Sequence, residues 1–307
     1  MMKQFLKTTD LKTMGVSLLA LLASSGFVAS AEDAETVTPN PAIWEVSDED
    51  TTIYLFGTVH ILQKDVAWRN DGFDAAWDSA DTVYFEADVS AEAQAALQPL
   101  IFQLDMNPEG TTFSSYFTEE ELALIEAEAT PLGLPMSNLQ PFRPWLASLT
   151  IGVMRIIEDG GDPEAGLETI LGKEAVADEK ELRFFETGEQ QLRFFADMPD
   201  EMMAEMLVEG IQQTNDFPNF FNDLVSAWQA GDVERLGDMI NGAMQSSDET
   251  IAEVLLYKRN ANWADTLETV LNEETGTFFV AVGAGHLAGE KSLQDYLAEK
   301  GIEADRL

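Results

Sequence analysis

The sequence contains no cysteine and only two histidines. Without cysteine the chain can form no disulfide bond, and it has no thiolate metal ligand, no cysteine nucleophile and no site for a lipoprotein-type lipid anchor. Any metal site must therefore be built without thiolate ligands.

Basic residues are also scarce, because 17 lysines and arginines stand against 56 aspartates and glutamates, and the net charge is −39. A surface this negative repels phosphate backbones and anionic lipid headgroups, which excludes a nucleic-acid or peripheral-membrane role. The acidic residues are spread along the chain and show no calcium-loop spacing such as D-x-D-x-D-G. The charge therefore indicates a solvated surface suited to a salty medium.

No apolar run in the sequence is long enough to span a membrane, and one shorter run lies near the start. Three lysines precede an apolar stretch at residues 14–23, and the small residues Ala29 and Ala31 flank Ser30. This order predicts a signal peptide over residues 1–31, cleaved after Ala31, and a periplasmic or secreted protein without stable membrane insertion.

Several well-known catalytic motifs are missing as well. The sequence has no His-Glu-x-x-His helix, no Gly-x-Ser-x-Gly elbow and no Walker loop. The glycines at 283, 285 and 289 have the wrong spacing for a dinucleotide fingerprint. These absences exclude the commonest zinc-peptidase, serine-hydrolase and nucleotide-binding sites.

The remaining pattern predicts an α/β fold. Residues 32–42 form a polar, flexible lead-in, and residues 43–307 form one α/β domain whose central sheet is built from both ends of the chain, flanked by helices, with a largely helical middle section. The predicted elements are a hairpin of residues 43–46 and 51–56, strands at 81–87, 181–185 and 277–282, and helices at 68–80, from Pro144, at 163–177, from Glu189 and at about 290–300.

Both histidines follow a glycine by three residues, directly after an apolar run. His60 ends the segment Phe-Gly-Thr-Val-His, and His286 ends Val-Gly-Ala-Gly-His. Loops beyond the carboxyl ends of parallel strands converge on one cleft in α/β folds, and glycine lets the backbone turn sharply there. The two Gly-x-x-His motifs therefore predict one shared site, the alternative being two hydrogen-bonded structural histidines.

A carboxylate stands at a third strand end, since Glu86 follows Val-Tyr-Phe. Two imidazoles and one carboxylate form a three-ligand set for Zn, Mn, Co or Fe, and such a metal would lower the pKa of a bound water. The alternative is that Glu86 is a solvated strand end.

Each basic residue needs an explanation in so acidic a chain. Arg259 lies on an apolar predicted helix, where it either pairs with an acid or holds a substrate carboxylate or an oxyanion. Arg143, between two prolines, has the same two interpretations, and a structural pair is favoured.

The motifs together resemble the TraB/GumN family, which is related to the Tiki metalloproteases and to a wider group that includes erythromycin esterases and a haem-binding lipoprotein. The resemblance covers nearly the whole predicted mature chain. It rests on Tyr-Leu-Phe-Gly-Thr-Val-His, Val-Tyr-Phe-Glu, Phe-Glu-Thr at 185–187, Arg-Asn-x-x-Trp at 259–263 and Val-x-Val-Gly-Ala-Gly-His-Leu-x-Gly at 280–289. One departure is Glu290-Lys291-Ser292, where many relatives place a second glycine.

The resemblance implies peptide hydrolysis with a divalent metal, Mn, Co or Zn. His60, Glu86 and His286 would bind the metal, and Arg259 with Asn260 corresponds to the family's Arg-Asn pair. Glu186 is a further candidate acid. We therefore predict an exported metal-dependent peptidase acting on a peptide or another small substrate; the alternative is a non-catalytic periplasmic protein that binds a peptide, haem or a metal.

Overall fold

The computed structural model describes residues 39–245 and 249–307. The predicted signal peptide and most of the predicted lead-in lie outside these residues. The strands are β1 Ile43–Ser47, β2 Thr51–Thr58, β3 Thr82–Phe85, β4 Glu181–Phe184, β5 Gly276–Gly283 and β6 Asp305–Arg306. The α-helices are α1 Asp71–Ser79, α2 Ala91–Asp105, α3 Glu119–Ala129, α4 Met136–Leu139, α5 Pro144–Glu158, α6 Leu167–Ala177, α7 Gly188–Ala196, α8 Asp200–Asp216, α9 Phe220–Gln229, α10 Val233–Gln245, α11 Glu249–Ala252, α12 Lys258–Glu273 and α13 Leu293–Glu299.

The described residues form two compact units. A sheet unit contains residues 39–87, 161–186, 221–245 and 249–307, and a helical unit contains Asp88–Gly160 and Thr187–Phe220. All six strands belong to the sheet unit. None of the helices in the described part of the chain is both long enough and apolar enough to cross a bilayer.

The sheet has the strand order β4-β3-β5-β2-β1-β6. The four strands β4, β3, β5 and β2 are mutually parallel, while β1 pairs antiparallel with β2 as a hairpin and with β6 at the other edge. The prediction of an α/β fold with a sheet drawn from both ends of the chain is confirmed, and β4 adds an edge strand from the middle of the sequence.

Helices cover both faces of this sheet. Successive side chains of a strand point to opposite faces, and in β5 Phe278 packs with Trp263 and Leu267 of α12. Its neighbour Phe279 packs instead against Phe73 and Trp77 of α1. The uninterrupted apolar run of β5 is therefore explained by burial on both sides.

Three predicted helix starts differ from the structure, and local chemistry explains each. Helix α1 begins at Asp71 because the side chain of Asn70 caps it by accepting from the Phe73 N–H. Pro163 opens only a short 3-10 turn, since the extended backbone of Gly166 ends that turn before α6. The last helix begins at Leu293 after a Ser292 cap. Thr118 and Glu121 form a capping box at the start of α3.

The helical unit has its own core, formed mainly by α3, α5 and α8, with Phe113, Ile125, Ile151 and Leu207 at its centre. Within this unit Arg143 pairs with Asp200, the Nε to Oδ1 distance being 2.7 Å. The structural interpretation of Arg143 therefore fits its contacts.

One buried carboxyl in the helical unit is not compensated. Asp105 is 1% exposed, and neither of its side-chain oxygens has a hydrogen-bond partner among the described residues. Burial raises the pKa of Asp105 to about 9, and nearby Asp200 reinforces the shift against the opposing effect of Arg143. The carboxyl is therefore neutral in the folded protein at pH 7, whereas the unfolded chain ionises it near pH 4.

We expect Asp105→Asn to stabilise the protein, because it removes the need to protonate this carboxyl on folding. The cost of that protonation grows from about pH 4 to about pH 9 by up to about 1.4 kcal/mol per pH unit. The gain should therefore be near zero at pH 4 and should rise with pH, as measured by urea denaturation at pH 4, 6 and 8. The exposed Asp197→Asn change serves as a control without such a trend. A gain for Asp105→Asn that does not vary with pH would refute this explanation.

Candidate functional site

Four ionisable side chains follow the carboxyl ends of the four parallel strands. In sheet order, Glu186 follows β4, Glu86 follows β3, His286 follows β5 and His60 follows β2. Carboxyl ends of adjacent parallel strands meet at one edge of a sheet. All four residues belong to the sheet unit, and we call them, together with Arg259, the strand-end cluster.

Arg259 of α12 holds much of this cluster together. Its Nε and one terminal nitrogen donate to the two oxygens of Glu186 at 2.8 and 2.9 Å, a bidentate pair. The same terminal nitrogen donates to Oε2 of Glu86. The other terminal nitrogen contacts Nε2 of His286 at 3.1 Å and donates to the Leu255 carbonyl at 3.0 Å. A guanidinium therefore lies between two buried carboxylates and one histidine.

The helix that carries Arg259 is irregular just before this residue. Residues Glu253–Tyr257 form a π-helical turn, a feature often found at functional sites. Trp263, one turn later, packs its ring under the guanidinium at 4.8 Å and donates its indole N–H to Glu186 at 3.1 Å. The side chain of Arg259 is thus fixed from several directions.

His286 is buried and has a defined tautomer. The amide nitrogen of Asn260 donates to the Lys291 carbonyl at 2.8 Å, so the amide oxygen faces Nδ1 of His286 at 2.6 Å. Nδ1 therefore carries the proton, and Nε2 is left as an acceptor for Arg259. Burial, reinforced by the Arg259 charge, lowers the pKa of His286 to about 3, so the ring is neutral at pH 7.

Glu86 is buried and ionised. Its Oε1 accepts the backbone N–H of Gly283 at 2.7 Å and lies 3.7 Å from Nε2 of His286. Burial alone would raise the pKa of Glu86, but the Arg259 charge, with His286, His60 and the Gly283 N–H, holds this pKa well below its usual range. The alternative of a solvated strand end does not fit, since Glu86 is 7% exposed.

His60 is the more accessible histidine, with a side chain that is 21% exposed. Its Nδ1 lies 2.7 Å from Oε1 of Glu168, within ion-pair distance but outside the angles of a well-aligned hydrogen bond. Burial lowers the pKa of His60, but the Glu168 carboxylate outweighs this effect, and the pKa lies above its ordinary value. A Cβ atom added to Gly283 would lie 3.1 Å from both His60 Nε2 and Glu86 Oε1, so these two atoms face the same space.

The donor set of this space matches the chemistry of a divalent ion, because imidazole Nε2 atoms and a carboxylate oxygen are its ordinary ligands. His60 Nε2 and Glu86 Oε1 face one point, and His286 Nε2 is within reach of Glu86. However, residues 39–245 and 249–307 contain no group of three or more histidine, aspartate or glutamate side chains already arranged to hold a metal. The guanidinium of Arg259 contacts both Glu86 and His286.

Five of the six candidate site residues, which are Glu86, Glu186, Arg259, Asn260 and His286, lie in one connected set of contacts. The sixth, His60, faces the same space as Glu86 beside Gly283. Their individual roles stay predictions. Sequence reasoning missed Glu168, because it lies in the first turn of α6, far from both histidine motifs in the sequence. Among so many acidic residues, no local pattern distinguishes it.

The fold and the cluster define an α/β protein with a polar site at the carboxyl ends of the four parallel strands of a mixed sheet. A model of the TraB/PrgY/gumN family matches residues 42–306, and the chain belongs to this family. No solved structure matches the chain.

The chain is similar to both bacterial and animal proteins. The uncharacterized protein YbaP of Escherichia coli strain K12 is 23% identical over 266 residues, which is 84% of this chain and 92% of YbaP. The human metalloprotease TIKI1 is 23% identical over 317 residues, covering 87% of this chain and 62% of TIKI1. Metalloprotease TIKI2 of Danio rerio is 29% identical over 116 residues, or 34% of this chain and 22% of TIKI2.

Proposed function

We propose that this chain is an exported hydrolase that cleaves peptide bonds, or related bonds in another small substrate, with a divalent metal at the strand-end cluster. The observation that carries the proposal is the position of His60, Glu86 and His286 after three adjacent parallel strands, with Arg259 among them. The distant similarity to TIKI1 and TIKI2, which are named metalloproteases, supports both the reaction and the metal.

In this proposal the Nε2 atoms of His60 and His286 and the Oε1 atom of Glu86 would hold the ion. A divalent ion there would supply a Lewis acid and a more acidic water. Asn260 keeps the proton of His286 on Nδ1, so that Nε2 carries the lone pair with which it would bind the ion. Glu86 Oε1 also faces this space, and as an alternative to binding the ion it would accept a hydrogen bond from the attacking water and orient it.

Arg259 would stabilise the negative charge that develops on the carbonyl oxygen as water adds to the carbonyl carbon. A guanidinium that is already fixed needs no reorganisation at that moment. The charge on the oxygen is lost when the C–N bond breaks, and the proton given up by the water goes to the leaving amine. Glu186 acts by holding Arg259, since both of its oxygens accept from that side chain. The guanidinium of Arg259 would have to move away from His286 and Glu86 for these two side chains to bind the ion.

The test is turnover by protein purified without a histidine tag, which would itself bind metal. The protein is loaded with Mn²⁺, Co²⁺ or Zn²⁺ and incubated with a mixed peptide library, and the products are identified by mass spectrometry. We expect cleavage that a chelator abolishes, that the metal restores, and that Glu86→Gln lowers by at least about tenfold.

Two outcomes would contradict the proposal. Protein that binds no divalent metal under any loading condition would exclude the metal-dependent reaction. Stoichiometric capture of a peptide, haem or a metal without any product would instead identify a binding protein.

A further inference from the structure

Glu168, which has no role in the proposed reaction, lies against the ring of His60. Its Oε1 lies 2.7 Å from Nδ1 of His60, and its side chain is 10% exposed. The hydroxyl of Thr58, two residues before His60, donates to the same oxygen. One carboxylate therefore contacts the end of β2 and the histidine that follows it.

The backbone fixes Glu168 in this place. The N–H of Leu167 donates to the Val59 carbonyl at 3.1 Å, which ties the first residue of α6 to the segment that leads to His60. A Cβ atom at Gly166 would lie 2.0 Å from the His60 carbonyl oxygen. Only glycine permits this close approach, so the local sequence is shaped to bring α6 against His60.

The contact has a consequence for the proton on His60. An unprotonated Nδ1 would place its lone pair beside a carboxylate oxygen 2.7 Å away, which is repulsive, whereas a protonated Nδ1 is attracted to that oxygen even without ideal hydrogen-bond angles. In the neutral ring the proton is then on Nδ1, and Nε2 carries the lone pair. Nε2 is the atom that shares the space beside Gly283 with Glu86.

We propose that Glu168 is a positioning residue, which holds the neutral ring of His60 in the Nδ1–H tautomer and directs its Nε2 lone pair into the strand-end cluster. This inference rests on the proposed function, because that lone pair is the one with which His60 would bind the ion. Histidines that bind metals commonly donate their other ring N–H to a carboxylate, which fixes their tautomer in this way.

The two histidines make the tautomer directly measurable. In full-length protein labelled with ¹⁵N-histidine and kept free of metal, only two imidazoles contribute to the NMR spectrum, and His60→Ala assigns them. Above the pH at which His60 titrates, we expect both rings to show a protonated Nδ1 and an unprotonated Nε2. Glu168→Ala should move His60 toward the Nε2–H tautomer and leave His286 unchanged.

Two further variants separate positioning from general stability. Glu168→Gln keeps the volume and one acceptor oxygen, so it should retain the Nδ1–H tautomer if Glu168→Ala is too unstable to interpret. Glu164→Gln is the control, because Glu164 lies four residues earlier with a side chain that is 75% exposed, and it should change neither ring. A wild-type His60 with the proton on Nε2, or a tautomer unchanged in Glu168→Ala, would overturn the inference.

Metal affinity and turnover provide the second measurement. Glu168→Ala should lower the affinity for Mn²⁺, Co²⁺ or Zn²⁺, measured by calorimetry, by about 10–100-fold. If the wild type binds metal and cleaves peptides but Glu168→Ala leaves both tautomer and affinity unchanged, this inference fails and the proposed function stands. If the tautomer responds as expected but the wild type binds no metal, the proposed function fails and the link from Glu168 to metal binding fails with it.

Discussion

Replacing Arg259 with methionine is expected to lower the free energy of unfolding by about 3–5 kcal/mol. Methionine approximates the length and packing of the side chain but removes the charge. Glu86 and Glu186 would then remain buried without the guanidinium that contacts both of them. Trp263 would also lose the cation that packs on its ring. Urea denaturation of the variant and the wild type at pH 7 measures the difference.

Two further substitutions make this prediction specific. Arg235→Met removes an ion pair with Asp223 in which both side chains are about half exposed, so it should change the stability by no more than about 1 kcal/mol. Arg259→Lys restores the charge but not the bidentate geometry, and should recover only part of the loss. Equal, small losses for Arg259→Met and Arg235→Met would show that the buried carboxylates do not depend on Arg259.

The second large effect is on turnover. His60→Ala and His286→Ala should each lower it by at least about tenfold. Their effects on stability should differ. His286→Ala leaves Asn260 without its partner in a buried site and should lower the stability by about 1–3 kcal/mol. His60→Ala removes a partly exposed ring and should destabilise the protein less.

Measurements of turnover, metal content and urea denaturation on both variants test this prediction. Lower stability with unchanged turnover and metal content in both variants would instead show two structural histidines.

The residues at the strand ends could be predicted from the sequence, because the carboxyl ends of parallel strands lie at the same edge of a sheet. An apolar run followed by glycine and histidine indicates where a strand ends, and parallel packing brings such ends together. This reasoning placed His60, His286 and Glu86 correctly at the ends of strands β2, β5 and β3. It needed no knowledge of which helix packs where.

The contacts between the site and the helices could not be predicted in the same way. Glu168 reaches His60 only because Gly166 brings the start of α6 against the backbone of the chain after β2. Arg259 was recognised as a candidate, yet nothing in the local sequence shows that it contacts Glu86, Glu186 and His286 at the same time. Such contacts are set by tertiary packing, which local sequence patterns do not encode.

The helix boundaries show the same distinction on a smaller scale. Asn70 caps α1 through its side chain, a signal that the sequence contained but that the apolar pattern obscured. Pro163 suggested a helix start, but the backbone of Gly166 is extended so that α6 can approach His60. In this segment tertiary packing against the chain after β2 overrides local helix propensity.

The most direct test of the central claim, that the strand-end cluster is one hydrolytic site, is a double-mutant cycle on peptide turnover. The wild type, His60→Ala, His286→Ala and the combined variant are compared with the same metal and peptide. Residues that act as a unit lose most of their effect with the first removal. The account predicts that the combined variant is about as slow as the slower single variant. Losses that multiply across the two positions would contradict it, because they would show that the histidines act independently.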